Sequence, residues 1–117
     1  MFKLEVEKKV HNLVLKIYEL VRLFPKEEQY RLVDQIVRAS YSIPSNIIEG
    51  QNRNTTKDYI NFLYNARGSA FELKYFLLLA KDLGYIDNKV YEQIKVEITE
   101  IIKMINALIN SLKGRIK

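Results

Sequence analysis

His11 is the single histidine in a chain of 117 residues that contains no cysteine. Within one chain this excludes a histidine-based triad, a multi-histidine metal site, a thiolate metal site and a cysteine nucleophile. The carboxylates do not take the paired Glu and Glu-x-x-His pattern of di-iron bundles. The four glycines are scattered, so no phosphate-cradling loop is present. His11 lies one step off an apolar helical stripe, which predicts a half-buried structural histidine. The expectation is a protein that is not an enzyme and needs no metal or cofactor. What chemistry remains is charge: 19 Lys and Arg against 14 Asp and Glu, a net +5. Where that surplus lies depends on the elements that carry it.

Apolar spacing reads those elements. Val6, Val10, Leu13, Ile17, Leu20 and Phe24 recur at alternating steps of four and three, the stripe of a bundle helix running from Leu4 to Phe24. Pro25 breaks it, because a residue before proline is pushed out of the helical region. Glu27 and Glu28 then suit the positive end of a second helix. That helix carries Val33, Ile36, Ser40, Ile43 and Ile47, flanked by Tyr30, Val37 and Ile48. Pro44 falls inside the run, where a proline removes a hydrogen bond and costs about 3 kcal/mol. The stripe stays in phase beyond it, which predicts one helix kinked at Pro44, with Ser40 and Ser42 helping to satisfy the freed backbone groups. Gly50 is expected to end it as a left-handed cap.

Thr55 to Asp58 has the form of a capping box with Thr55 as the cap. The third helix runs to about Leu83 on Tyr59, Leu63, Ala66, Ala70, Leu73, Leu77 and Ala80. Ile60, Phe62, Phe71, Tyr75, Phe76, Leu78 and Leu79 leave it little polar face, so a second covered side is expected. Tyr59, Tyr64 and Tyr75 are candidates for an intersubunit surface, or equally for the edge of the core. Gly68 to Ala70 suggest close backbone approach to a neighbour. Gly84 reads as a left-handed cap, with Asp87 capping the helix that follows. That fourth helix carries Val90, Ile94, Ile98, Ile101, Ile105, Leu108 and Leu112. The fold expected is all-α: an antiparallel up-down-up-down four-helix bundle, with residues 1–117 as a single domain. The charged N-terminus has no signal-peptide pattern, and no run of about 18 apolar residues exists to span a membrane. A cytoplasmic location is expected.

Antiparallel connectivity gathers much of the charge at one end. Lys3, Lys8, Lys9, Arg53, Lys57, Lys113, Arg115 and Lys117 stand there against Glu5, Glu7, Glu49 and Asp58, eight minus four giving +4. Nucleic acid is the natural partner for such a surface, and solvated terminal decoration is the plainer alternative. Asn46, Glu49 and Arg53 share a helical face. An ion pair of Glu49 with Arg53, with Asn46 anchoring the kink, is preferred over a small polar pocket.

Phe24 to Glu28, Gln35 to Ser40 and Ser42 to Gly50, followed by Phe62 to Tyr64, Ala66 to Ser69, Glu72-Leu73 and Leu77 to Tyr85, resemble the bacterial four-helix-bundle proteins encoded in intervening sequences of 23S ribosomal RNA genes. The resemblance covers roughly residues 13 to 86. Two departures stand out: Phe2 to Val6 replace a tryptophan-containing segment, and Ile48 stands where alanine is usual. The resemblance implies a homopentamer with a central channel. It also implies likeness in fold to the accessory variability protein of diversity-generating retroelements, which partners a reverse transcriptase and binds nucleic acid. The first reading is a homo-oligomer that binds RNA or DNA through its basic end. The alternative is an adaptor oligomer that recruits a protein such as a reverse transcriptase, and a small-molecule-binding bundle is a third.

Overall fold

The computed structural model describes residues 4–116. Four helices account for most of them: α1 (Glu5–Val21), α2 (Leu32–Gln51), α3 (Thr56–Asp82) and α4 (Asn88–Lys113), with a single 3-10 turn at Lys26–Glu28. Each helix buries most of the stripe its spacing predicts, with Leu20, Val33, Tyr59, Val90 and Leu108 only partly buried at its edges. Val10, Leu13 and Ile17 of α1, Ile36, Ile43 and Ile47 of α2, Leu63, Ala66, Ala70 and Leu73 of α3, and Ile98 and Ile105 of α4 are fully removed from solvent. Truncating any of the larger ones leaves a cavity and costs about 2–5 kcal/mol.

The helices pack in cyclic order, α1 on α2, α2 on α3, α3 on α4 and α4 on α1. Contacting residue numbers rise on one helix as they fall on its neighbour. Lys9 meets Glu100 while Lys16 meets Glu97; Gly50 lies against Tyr59 while Ser42 meets Ser69; Tyr64 meets Lys113 while Tyr91 meets Lys81. The bundle is a rod of 49 × 25 × 24 Å.

Several local expectations are corrected. Helix α1 stops at Val21, and residues 22–24 form a turn whose N–H groups bond carbonyls three back. The second helix does not start near Pro25: Glu27 and Glu28 belong to the 3-10 turn, and α2 begins only at Leu32. The reason is Glu28, which is buried and accepts a 2.7 Å hydrogen bond from the Tyr85 hydroxyl. Tyr85 packs in turn on Phe24, ring centroids 5.3 Å apart. Tyr30 and Ile48, expected beside the α2 stripe, lie outside it, 87% and 49% exposed.

Pro44 lies inside α2, which continues seven residues beyond it to Gln51. The nearby serines bond differently from expectation. The Ser40 hydroxyl donates to the Val37 carbonyl and Ser42 turns across to Ser69 at 2.8 Å, while the Asn46 amide donates to the Ser42 carbonyl. Gly50 is not a left-handed cap. It is buried within α2, where a Cβ would stand 2.8 Å from the Tyr59 ring and 2.9 Å from Phe62 Cβ. Its small size lets α2 and α3 touch.

Thr55, Gly84 and Asp87 cap as read, although among the described residues no bond runs back from the Thr55 N–H to the Asp58 carboxylate to complete the capping box. Thr55 accepts from the Asp58 N–H and Asp87 from the Val90 N–H. Gly84 has φ 84°, and the Tyr85 and Gly84 N–H groups bond the Ala80 and Lys81 carbonyls, closing α3 as a Schellman motif. Gly68 departs from expectation, since a Cβ there would meet nothing within 4 Å. His11 is exposed rather than half-buried, because the buried stripe of α1 passes through Val10 and Leu13 and turns it outward.

Candidate nucleic-acid interface

The basic end predicted from connectivity consists of the start of α1, the link 52–55 and the end of α4. A bond from the Gln51 amide to the Glu7 carboxylate ties α2 to α1 there, and the Lys113 ammonium lies 5.5 Å from the Tyr64 ring on α3. Of the eight cations assigned to it, Lys3 and Lys117 lie outside the described residues. Lys9 is diverted along the bundle to Glu100. That hydrogen bond, reinforced by the pair's charges, raises the Lys9 pKa and lowers that of Glu100. Arg53 pairs with Glu49 at 2.8 Å and lies over the Phe62 ring. With Asn46 turned back on Ser42, the three residues on that face make the structural arrangement. Lys8, Lys57 and Arg115 are exposed, and no ion pair engages them among the described residues. The end therefore keeps four available cations: these three and Lys113.

A second basic region was missed. On α3, Arg67, Lys74 and Lys81 recur every seven residues on the side that faces α4. Arg67 donates to Asn106 of α4 at 2.8 Å and lies 4.9 Å from the Tyr64 ring centroid. Lys81 and Lys95 lie 5.0 and 5.8 Å from the Tyr91 ring. Each tyrosine thus has two cations against it, and an aromatic face stabilises a cation without neutralising its charge. The signal was available as a seven-residue cation repeat along α3. What it lacked was the identity of the neighbouring helix.

The α1–α4 side contrasts with this. Lys9 and Lys16 meet Glu100 and Glu97 there, leaving a shallow, largely apolar groove in which Leu15, Leu20, Leu23, Val90 and Ile94 stand with Lys16, Glu19, Gln93 and Glu97. Another mainly apolar groove, in which Tyr30, Leu32, Phe76, Leu79 and Leu83 stand with Glu28, Arg31 and Gln35, lies between α2 and α3. Among the described residues no group of three or more His, Cys, Asp or Glu could hold a metal ion, and no helix is long and apolar enough to cross a membrane.

Residues 2–107 match the family model of the 23S rRNA-intervening sequence protein. The chain belongs to that family. The match extends well beyond residues 13 to 86, which carry the resemblance visible in the sequence. The match takes in Arg67, Lys74, Lys81 and Lys95 but ends before Lys113 and Arg115. The fold is similar to the crystal structure of a protein of unknown function from the S23 ribosomal protein family of Bacteroides thetaiotaomicron. The TM-score is 0.82 at 31% identity, covering 89% of this chain and 97% of that one. No curated protein matches this chain.

Proposed function

We propose that this chain is a non-enzymatic, cytoplasmic bundle that self-associates, as a homopentamer, and binds RNA through its basic end. The observation that carries the binding reading is the set of Lys8, Lys57, Lys113 and Arg115, which no carboxylate engages among the described residues. Cations left unpaired in a +5 chain attract a polyanion and release its counterions. The printed names of the family and of its structural relative, which refer to 23S rRNA and to a ribosomal protein family, support RNA over DNA.

Self-association is supported by the two apolar grooves. The α1–α4 and α2–α3 sides are opposite faces in the cyclic packing order, and each carries large exposed apolar residues, Leu23 at 83% and Tyr30 at 87%. Two different faces that cover one another make a heterologous contact, which gives a ring where the rotation between copies closes and a filament where it does not. The same exposed residues support a second reading, an adaptor oligomer that recruits a protein such as a reverse transcriptase.

Titration of structured RNA and of duplex DNA across a salt series tests the binding. The triple variant Lys113→Ala, Arg115→Ala, Lys117→Ala is expected to lower the salt slope by about two to three. Affinity that survives the substitution removes Lys113, Arg115 and Lys117 from the site. Light scattering tests assembly: a monomer at micromolar concentration contradicts the reading of the two faces.

A further inference from the structure

We infer that the α3–α4 flank is a binding track for single-stranded RNA, with phosphates held by the cations on either side of Tyr64 and Tyr91 and a base stacked on Phe71. The inference rests on the RNA reading above and moves its centre from the end of the rod to one side. Six cations lie along this flank, Lys57, Arg67, Lys74, Lys81, Lys95 and Lys113, and the carboxylates beside them are Asp58, next to Lys57 in the chain, Asp82, 3.5 Å from Lys81, and the exposed Glu92. Six minus three leaves +3. From Tyr64 to Lys81 the track runs about 26 Å at 1.5 Å per residue.

Charge alone would suit any polyanion. Phe71 narrows the choice. It is 52% exposed, four residues after Arg67 and three before Lys74, which places it between two cations on the helix surface. A basic track interleaved with an open aromatic ring is the arrangement that takes unpaired bases, since a duplex keeps its bases stacked on each other. Tyr64 and Tyr91 are not the stacking rings, because the chain's own cations already occupy their faces. They act as supports that hold those cations along the flank. The flank also lies between the two apolar faces, so a ring that covers those faces leaves it open.

The test compares three proteins on a labelled single-stranded RNA and on the same RNA as a duplex, with salt titration and light scattering for each. In the wild type, binding to the single strand is expected to be tighter. The triple variant Lys74→Gln, Lys81→Gln, Lys95→Gln is expected to bind at least about tenfold more weakly, with a salt slope lower by about two. Phe71→Ala is expected to lose about fivefold or more on the single strand and little on the duplex. If the wild type binds no RNA, both the inference and the reading beneath it fall. If the wild type binds and the triple variant binds equally well, the RNA reading stands and the flank is excluded. If Phe71→Ala changes the oligomer mass and leaves RNA affinity intact, Phe71 belongs to a protein contact and the stacking role is overturned.

Discussion

Helix α4 is flanked by lysines on both sides and deals with them in two ways. Toward α1, Lys9 and Lys16 are met by Glu100 and Glu97 of α4, and the charges cancel. Toward α3, Lys81, Lys95, Arg67 and Lys113 are met by tyrosine rings, and of these four only Lys81 also has a carboxylate beside it, Asp82 at 3.5 Å, so most of the charge survives. The two flanks use the same cations and the same helical spacing. The partner decides whether a lysine is spent on cohesion or kept for something outside the molecule. An exposed ion pair contributes at most about 1 kcal/mol, so the carboxylates of the α1 flank matter more for the field they remove than for stability.

The strongest challenge to this comparison is to loosen both flanks together. Ile105, fully buried in the second half of α4, supports each of them. Ile105→Ala is expected to cost about 2–5 kcal/mol and lower Tm by on the order of 10 °C. Calorimetry checks this, and an unmoved Tm would mean that α4 is not packed as described. Next in size is an exchange of character. Glu97→Lys with Glu100→Lys turns the neutral flank into a cationic one, and RNA affinity at low salt is expected to rise about tenfold. The gain should be equal for single strand and duplex, because no aromatic ring is open on that side; a gain confined to the single strand would break the distinction.

A smaller effect is expected from Tyr91→Leu, which keeps an apolar side chain at this buried position but removes the ring shared by Lys81 and Lys95. The loss should be about 1–2 kcal/mol by chemical denaturation, and no loss would mean that the rings do not support the cations. The smallest concerns acid. The Lys9 hydrogen bond holds Glu100 below its ordinary value of about 4.5. Its contribution is therefore complete above that value and is lost as pH falls through the lowered pKa. Glu100→Gln should flatten a shallow decline in Tm below pH 4.5, whereas Lys74→Gln, which involves no carboxylate, should leave it in place.

Much of the fold was legible because bundle helices announce themselves by apolar spacing, Thr55 and Asp87 mark helix starts by side-chain hydrogen bonds, and Gly84 marks a helix end by its left-handed backbone. The start of α2 was not legible. Glu28 looks like a first-turn residue until Tyr85, 57 positions away, turns it inward. Gly50 misled for a related reason: a glycine near a helix end reads as a cap, and only the tertiary approach of Tyr59 and Phe62 shows that size is what matters. The charge at the end of the rod followed from connectivity alone. The α3–α4 flank did not, because assigning a side to Arg67 or Lys74 requires knowing which helix stands beside α3. Spacing within one helix fixes which residues share a face but leaves open what that face meets.

The tight meeting at Gly50 also bears on the order in which the chain reaches its final shape. Only four residues separate α2 from α3, so bringing Gly50 onto Tyr59 closes a very short loop at little entropic cost. Lys9 and Glu100, by contrast, are 91 positions apart, and the groove between α1 and α4 closes the largest loop in the molecule. Rate measurements should therefore divide the rod in two. Substitutions at the α2–α3 contact should slow folding, and those in the α1–α4 groove should chiefly hasten unfolding, as for a nucleus and a late-closing side.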